Sequence, residues 1–312
     1  MKTINKEENK IKLPKGFRVG HADYKGRTGV SVILCGEDTI GGVCVRGCAP
    51  GTRETDLLAS EKAISSINAI VLAGGSAFGL AAADGVMQYL ASENVGHSVG
   101  DIKVPLVSGA VIFDIAKSSD IGKVDSKLGF AACKNATDYP TTWGAVGAGC
   151  GAHVGKMLGA SFASSGGIGA ATVSLGETFV TAITVVNAVG DAYCHKTGDI
   201  IAGAKDGRGG FLNLNNLILS GDMLAFMAQM GGNTTLSCIV TNAKLDKLHC
   251  NKLASIAHNS FAQSIKPVHT DYDGDTIFAL SCGDVSFDFT ALSVMAVEAI
   301  SQSITNSIKA VK

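Results

Sequence analysis

The sequence predicts an α+β protein in which buried β-sheets are covered by helices. Hydrophobic residues make up 46% of the 312 residues and charged residues only 17%, so the chain must bury a large core. Strand-like and helix-like patterns mix along the chain, without strict alternation and without an internal repeat. Sheets with helices on the outside are the simplest layering for such a mixture.

The strands are predicted where β-branched residues cluster between turn residues. They lie at 28–35, 40–46, 68–73, 107–115, 170–175, 178–187, 234–242 and 274–282. The first 15 residues are polar and are expected to form a flexible arm. Residues 118–142 are expected to be irregular, and the glycine-rich, polar segment 203–216 is expected to be a mobile loop.

Three helices are predicted from apolar residues at helical spacing. The first covers residues 77–92, with Ser76 as a possible N-cap and with Leu80, Ala83, Met87 and Leu90 on its apolar face. The second follows the strand at 234–242, and its expected buried positions are Leu245, Leu248, Ile256 and Phe261. The last carries one apolar stripe, formed by Val297, Ile300, Ile304 and Ile308.

Charge and hydropathy exclude two classes of partner. The 26 basic and 27 acidic residues give a net charge of −1, so the basic surface that nucleic-acid binding requires is missing. No apolar segment is long enough to span a bilayer, and the polar N-terminus does not resemble a signal peptide. A cytoplasmic protein with no nucleic-acid or membrane partner is expected.

Metal and nucleotide sites are not expected either. The nine cysteines contain no CxxC pair, and most are expected to act as small buried apolar residues. The segment GAHVGK at 151–156 is one residue too short for a phosphate-binding loop. The aspartates that begin at Asp271 lack the glycine and the glutamate of a calcium loop. The segment GGSAFG echoes the GxSxG nucleophile elbow, but Phe78 replaces its second glycine, so Ser76 is interpreted as a turn residue.

The segment GGNTTL at 231–236 indicates by itself only a turn followed by a strand. The whole chain, however, resembles the DmpA-type L-aminopeptidase/D-esterase family, which includes β-peptidyl aminopeptidases and nylon-oligomer hydrolases. The matching motifs are FRVGHA (17–22), VRGCAPGTRETDLL (45–58), VLAGGSAFGLAAADGV (71–86), SGAVIFD (108–114), GAVGAGCGA (144–152), GGIGAA (166–171), VVNAVGD (185–191), NTTL (233–236) and HTDYDGDTIFAL (269–280).

The resemblance implies a self-cleaving hydrolase that needs no cofactor. Its fold would be a four-layer α/β/β/α sandwich, formed by one hydrolase domain over residues 1–312. The precursor would cut itself once, between Asn233 and Thr234, into an α fragment (1–233) and a β fragment (234–312). Family members commonly assemble as tetramers of such αβ pairs.

The chemistry of threonine agrees with this hypothesis. A threonine hydroxyl is a weak nucleophile unless a base accepts its proton, and an N-terminal threonine carries a base in its own α-amino group. Inside the uncut chain, Thr234 has no such amine, so self-cleavage needs other help. The preceding Gly231 and Gly232 would permit the strained backbone that attack on the Asn233 carbonyl requires.

The remaining site residues follow from the resemblance. Lys156 matches a lysine near the nucleophile in the nylon-oligomer branch, and Asn187 matches the donor of an oxyanion hole. Asp273 and Asp275 match the acidic pair of that branch, which would orient the Thr234 amine and hydroxyl. A surface lysine, a structural asparagine and an Asp-Gly turn remain the alternatives at these positions.

Substrate binding is assigned to Phe113, Gly75 and Ser76. Phe113 stands where some family members have a tyrosine, and this difference concerns the substrate range more than the reaction. Small peptides, amino-acid amides, esters and ω-amino-acid oligomers are the candidate substrates. The alternatives are an acyltransferase of the ornithine acetyltransferase kind and a small-molecule-binding protein that never cuts itself.

Overall fold

The computed structural model describes residues 11–221 and 232–312. The strands, in chain order, are β1 (Arg18–Tyr24), β2 (Thr28–Leu34), β3 (Ile40–Val45), β4 (Thr52–Arg53), β5 (Ala69–Ala73), β6 (His97–Val99), β7 (Ile102–Val104), β8 (Val107–Val111), β9 (His153–Val154), β10 (Ser164–Ser165), β11 (Gly167–Leu175), β12 (Thr178–Asn187), β13 (Asp191–Tyr193), β14 (Ile200–Ala202), β15 (Thr234–Ala243), β16 (Ile265–Lys266) and β17 (Thr276–Val285). The α-helices are α1 (Ala82–Ser92), α2 (Ser126–Lys134), α3 (Leu214–Leu219), α4 (Lys247–Ala257), α5 (Asn259–Ser264) and α6 (Phe289–Ala310).

Two five-stranded sheets form the centre of the molecule. The first sheet has the strand order β1-β2-β5-β8-β4, and the second has the order β11-β12-β15-β17-β3. Each sheet contains one parallel pair, β5 with β8 and β15 with β17, and its other neighbours are antiparallel. Because the carboxyl ends of parallel strands meet at one sheet edge, each pair brings two loops together there.

The sheets pack face to face, and helices cover their outer faces. Val30 and Val32 of β2 face the core under α1 and α2, whereas Ile33 faces the second sheet. This alternation follows from the two-residue period of a strand. The outer face of the second sheet is covered by α4, α5 and α6. The prediction of a four-layer α/β/β/α sandwich is therefore confirmed.

The predicted strands are present, but the first helix begins later than expected. A 3-10 helix covers Ser76–Ala81, and α1 begins only at Ala82. Ser76 is not an N-cap: it is the first residue of the 3-10 helix, whose N-cap is Gly75, and its backbone has φ 53°. The predicted irregular segment contains α2, whose N-cap Asp125 accepts a hydrogen bond from the Leu128 N–H at 3.0 Å.

One buried position was also predicted wrongly. Leu248 is 58% exposed, and Leu253 takes its place in the core beside Phe261. Of the predicted flexible arm, residues 1–10 lie outside the described residues. Its remainder is fixed to the second sheet, because the Thr181 hydroxyl donates to the Lys12 carbonyl at 2.5 Å.

The predicted mobile loop at 203–216 begins directly after β14 and contains the beginning of α3. β14 is an edge strand of a small three-stranded sheet, with strand order β14-β13-β16. The cysteines are less buried than expected: Cys133, Cys238 and Cys250 are buried, whereas Cys48 is exposed. Within residues 11–221 and 232–312, none of the helices has the length and apolar character to cross a membrane.

Candidate active site

Thr234 is the first residue of β15, and it is almost completely buried. In the antiparallel ladder it lies opposite Asn187, the last residue of β12. The chain reaches Thr234 through Gly232 and Asn233, which line a cavity at this end of the sheet. The strand pairing thus brings two predicted site residues, far apart in sequence, to one sheet edge. Gly231, the other predicted flanking glycine, lies outside the described residues.

The Thr234 hydroxyl lies directly against the peptide bond that precedes it. It donates a hydrogen bond to the carbonyl oxygen of Asn233. The N–H of Gly274 donates to this same carbonyl oxygen at 2.9 Å and to Thr234 Oγ1 at 3.2 Å. One backbone donor therefore contacts both the hydroxyl and the carbonyl oxygen, where negative charge would develop if the hydroxyl added to this carbonyl.

Asp275 fixes the backbone on the other side of Thr234. Its Oδ1 accepts the Thr235 N–H at 2.7 Å, and its Oδ2 accepts the His269 N–H at 3.2 Å and a hydrogen bond from His269 Nδ1 at 2.8 Å. The carboxylate is buried and accepts three N–H groups. Both of its oxygens therefore bind donors from different parts of the chain, so this aspartate is suited to holding geometry.

Asp273, two residues earlier, lies in a different environment. Its Oδ2 accepts the N–H and the hydroxyl of Thr270, at 2.8 and 2.6 Å. Burial, and after it the nearby charge of Asp275, raise the pKa of Asp273 to about 6, against the opposing effects of these hydrogen bonds and of the charge of Lys156. A carboxyl group with this pKa can exchange a proton near neutral pH.

Lys156 is held at the cavity by a tight turn. Gly155 adopts φ 69°, and the Lys156 N–H donates to the Val189 carbonyl at 3.1 Å. Burial of the amine lowers the pKa of Lys156 to about 7, while the charges of Asp273 and Asp114 oppose this shift. The amine therefore changes its charge near neutral pH and responds to both carboxylates.

The Asn187 amide connects the two sheets at the site. Its Nδ2 donates to the Phe113 carbonyl at 2.9 Å, and its Oδ1 accepts the His153 N–H at 3.0 Å. An amide nitrogen carries two hydrogens, so the bond to Phe113 uses only one of them. In the uncut chain this side chain fixes the loop after β8 at the wall of the cavity.

The cavity beside Asn233 has a volume of about 460 Å³. Its lining is mostly apolar, and its polar side chains include those of Asp114, Lys156, Asn187 and Asn233. Phe113 forms part of the wall and is 40% exposed, and its ring packs against the backbone of Gly232. A predominantly apolar pocket with a few fixed polar groups is typical of a small-molecule site.

The structure places the predicted residues Gly75 and Ser76 behind this cavity. Gly75 has φ 79°, and its N–H donates to Asp114 Oδ1 at 2.7 Å. Neither Gly75 nor Ser76 is among the described residues that line the cavity. Gly75 contacts the cavity-lining Asp114, and substrate binding by Gly75 and Ser76 stays a prediction.

Sequence reasoning missed three groups of the site: Asp114, His269 and the N–H of Gly274. All three lie within motifs that carried the family resemblance, SGAVIFD and HTDYDGDTIFAL. An acidic residue near the end of the predicted buried strand 107–115 was a signal for Asp114. No sequence signal distinguishes the Gly274 N–H. Among residues 11–221 and 232–312, no cluster of His, Cys, Asp or Glu could hold a metal ion.

Comparison with known proteins identifies the family. Peptidase family S58 matches residues 9–312. An uncharacterized aminopeptidase of Mycobacterium leprae is 38% identical over 285 residues, which are 84% of this chain and 73% of the relative. The 6-aminohexanoate-oligomer endohydrolase of Paenarthrobacter ureafaciens is 33% identical over 281 residues, 88% of this chain and 75% of the relative.

A solved structure supports the fold. The L-aminopeptidase D-Ala-esterase/amidase of Ochrobactrum anthropi, described as a variant of the Ntn hydrolase fold, superposes with a TM-score of 0.68 at 16% identity. The match covers 96% of this chain and 85% of that protein. These findings confirm the resemblance, and the chain belongs to peptidase family S58, as a hydrolase of peptide or other amide bonds.

Proposed function

We propose that this hydrolase is made as a precursor that cuts itself between Asn233 and Thr234, and that Thr234 is then its N-terminal nucleophile. The observation that carries this proposal is the contact of the Thr234 hydroxyl with the Asn233 carbonyl, where Gly274 donates to both oxygens. The products are an α fragment of residues 1–233 and a β fragment of residues 234–312.

Self-cleavage proceeds in two steps, an acyl transfer from nitrogen to oxygen and the hydrolysis of the resulting ester. First, Thr234 Oγ1 adds to the Asn233 carbonyl carbon, the Gly274 N–H stabilises the oxyanion, and the bond from this carbon to the Thr234 nitrogen breaks. The hydroxyl proton leaves oxygen and nitrogen receives one, which gives an ester on Thr234 and a free α-amine. Water then hydrolyses the ester, leaving a carboxylate on Asn233 and restoring the hydroxyl.

Substrate hydrolysis repeats this chemistry with an external amide. The α-amine of Thr234 now accepts the hydroxyl proton, because an α-amino group titrates near pH 7.7–8.0. The acyl group is transferred to Thr234 and then to water. Lys156 and Asp273, which titrate around neutral pH, adjust the charge at the nucleophile, and Asn187 supplies its remaining N–H to the acyl oxygen.

The substrates are small peptides, amino-acid amides or ω-amino-acid oligomers. A cavity of about 460 Å³ with a mostly apolar lining has room for a short acyl group. The names of the relatives, an aminopeptidase and a 6-aminohexanoate-oligomer endohydrolase, support this range. We further propose that the protein acts in the cytoplasm, as an assembly of αβ pairs.

Intact-mass analysis of the purified protein tests the proposal. Wild type should give two fragments that meet at residues 233 and 234, whereas Thr234→Ala should remain a single inactive chain. Thr234→Ser, which keeps a hydroxyl, is the matched control and should still cut.

A single wild-type band after prolonged incubation would refute self-cleavage. Amidase activity retained by Thr234→Ala would show that another residue is the nucleophile. The same preparation, offered aminoacyl amides, peptides and aminohexanoate oligomers with and without an amine acceptor, separates hydrolysis from acyl transfer.

A further inference from the structure

His269 contacts the carboxylate of Asp275, which in turn binds the backbone next to Thr234. Both its backbone N–H and its Nδ1 bind Asp275 Oδ2, at 3.2 and 2.8 Å. The other oxygen of the same carboxylate accepts the Thr235 N–H at 2.7 Å. The orientation of His269 therefore determines where Asp275 holds the backbone next to Thr234.

The backbone of His269 is strained in a way that favours this contact. Its φ of 57° lies in the left-handed region, which residues other than glycine seldom adopt. Such a conformation persists only when surrounding interactions stabilise it, and it is enriched at functional sites. The two bonds to Asp275 Oδ2 are among the interactions that stabilise it here.

The ring of His269 is fixed by its neighbours. It packs edge-on against the buried ring of His258, with 4.9 Å between the centroids, and lies 6.1 Å from the ring of Phe261. Because a carboxylate only accepts hydrogen bonds, Nδ1 must carry the proton in the bond to Asp275. The contact with Asp275 therefore requires a hydrogen-bond donor at this place in the side chain of residue 269.

We propose that His269 is a positioning residue of the S58 reaction in this chain, acting through Asp275 on the backbone of Thr235. It keeps the Thr234 hydroxyl aligned with the carbonyl that the hydroxyl attacks. The proposal rests on the proposed function of Thr234, and it adds a residue to the machinery of that site.

A second His–Asp pair provides a matched control. His249 binds Asp246 Oδ1 through its backbone N–H at 2.8 Å and through Nδ1 at 2.7 Å, which is the same pattern. This pair caps α4, and its side chains are 45% and 65% exposed. Removing the His249 side chain removes an identical bond at a distance from the nucleophile.

The first test compares His269→Asn with His269→Gly. Asparagine and glycine both tolerate the left-handed backbone, but only asparagine carries a donor in the place of Nδ1. Because hydrogen bonds to charged groups are strong, we expect His269→Gly to slow self-cleavage about 10- to 100-fold. His269→Asn should stay within about threefold of wild type, as should His249→Ala.

Kinetics of the matured enzyme separate positioning from simple destabilisation. In His269→Gly, kcat should fall while KM stays unchanged, since His269 does not line the cavity. Self-cleavage at the wild-type rate in His269→Gly would overturn the proposal. So would a rate in His269→Asn as low as that of His269→Gly when both variants are folded.

A second measurement does not depend on activity. In the uncut Thr234→Ala chain, hydrogen exchange of the Thr235 amide should become at least about tenfold faster with His269→Gly and remain slow with His269→Asn. Unchanged exchange in His269→Gly would refute the link through Asp275. If wild type never cuts itself, the proposed function fails, and this exchange measurement still decides the role of His269.

Discussion

The two sheets contribute different kinds of surface to one site. On the second-sheet side, residues 233–235 and 269–275, the functional groups are buried and are held by several hydrogen bonds each. On the first-sheet side, Phe113 is 40% exposed at the cavity and packs against Gly232. The reacting atoms require a fixed geometry, whereas the wall of a binding cavity must adapt to the substrate. Changes on the second-sheet side should therefore affect the rate of bond cleavage, and changes on the first-sheet side should mainly affect affinity.

The sharpest test of this comparison is Gly274→Ala. A Cβ atom at this position would lie 2.8 Å from Thr234 Oγ1 and 2.9 Å from the Ala49 carbonyl oxygen, so the backbone must shift. The Gly274 N–H then leaves the Asn233 carbonyl. Loss of one oxyanion donor costs about 10²–10³-fold in rate, and we expect self-cleavage to slow by this factor. Time-resolved gel electrophoresis measures the rate.

The matched control is Gly232→Ala, one residue from the cut. Its Cβ would lie 3.1 Å from Phe113 Cβ and 3.2 Å from the ring carbon Cγ, which a shift of a few tenths of an ångström can relieve. We expect a change of less than about tenfold. Equal effects of the two alanines would contradict the difference between the two sides.

The pH dependence of self-cleavage is the next largest effect. The rate should rise as Asp273 loses its proton near pH 6 and fall as Lys156 loses its proton near pH 7. Lys156→Arg keeps its charge at all these pH values, so the alkaline limb should disappear. Self-cleavage rates of the uncut chain should be measured from pH 5 to 9. The Thr234 amine is not yet free in this chain, so its titration does not contribute to the profile. A flat profile between pH 5 and 8 would argue against both roles.

Lys156→Met should lower the rate at the optimum by about 10- to 100-fold, because a cation near the developing charge is lost. The two limbs of the pH profile belong to an interacting set of groups. The charge of Asp273 affects the pKa of Lys156, and the charge of Asp275 affects the pKa of Asp273. A rate unchanged by Lys156→Met would make this lysine structural.

Periodicity in the sequence was enough to predict the layered fold, because both sheets are buried on two faces and their strands are long apolar runs. It could not place α2, because only Gly129, Ala132 and Cys133 of this helix are fully buried, and such small residues form no clear apolar stripe. It also placed Leu248 inside, because the helical spacing fits either of two neighbouring stripes and only the packing of α4 selects Leu253.

The site was predictable only as far as its side chains were recognisable in motifs. Thr234, Asn187 and Lys156 were identified through the resemblance, and the structure places them around one cavity edge. A backbone donor such as the Gly274 N–H has no signature in the sequence. The sequence shows an acidic residue at Asp114, but it does not show that this residue lies near Lys156. That proximity depends on how the two sheets pack.

Asp114 lies on the first-sheet side but interacts electrostatically with Lys156, so it tests where the boundary between the two sides falls. Its negative charge raises the pKa of Lys156. Asp114→Asn should therefore let Lys156 lose its proton at lower pH and shift the alkaline limb of the rate profile downward. At pH 7 the rate should fall less than about tenfold. Asp120→Asn removes another buried carboxylate, which pairs with Arg27, and should leave the limb in place. If the alkaline limb shifted in both variants, the shift would come from the loss of negative charge in general and would not be specific to Asp114.

The smallest effect is expected from Phe113→Tyr. The ring lines the cavity and touches Gly232, and its backbone carbonyl, rather than its side chain, holds Asn187. A hydroxyl added to this exposed ring adds a polar contact for substrates without moving Asn187 or Thr234. KM for amide substrates should therefore change by less than about tenfold, while kcat and the self-cleavage rate stay the same. Steady-state kinetics on a short and a long substrate measure both constants. A change in kcat or in self-cleavage would mean that the first-sheet side also sets the geometry of the reacting atoms, through the same carbonyl that binds Asn187.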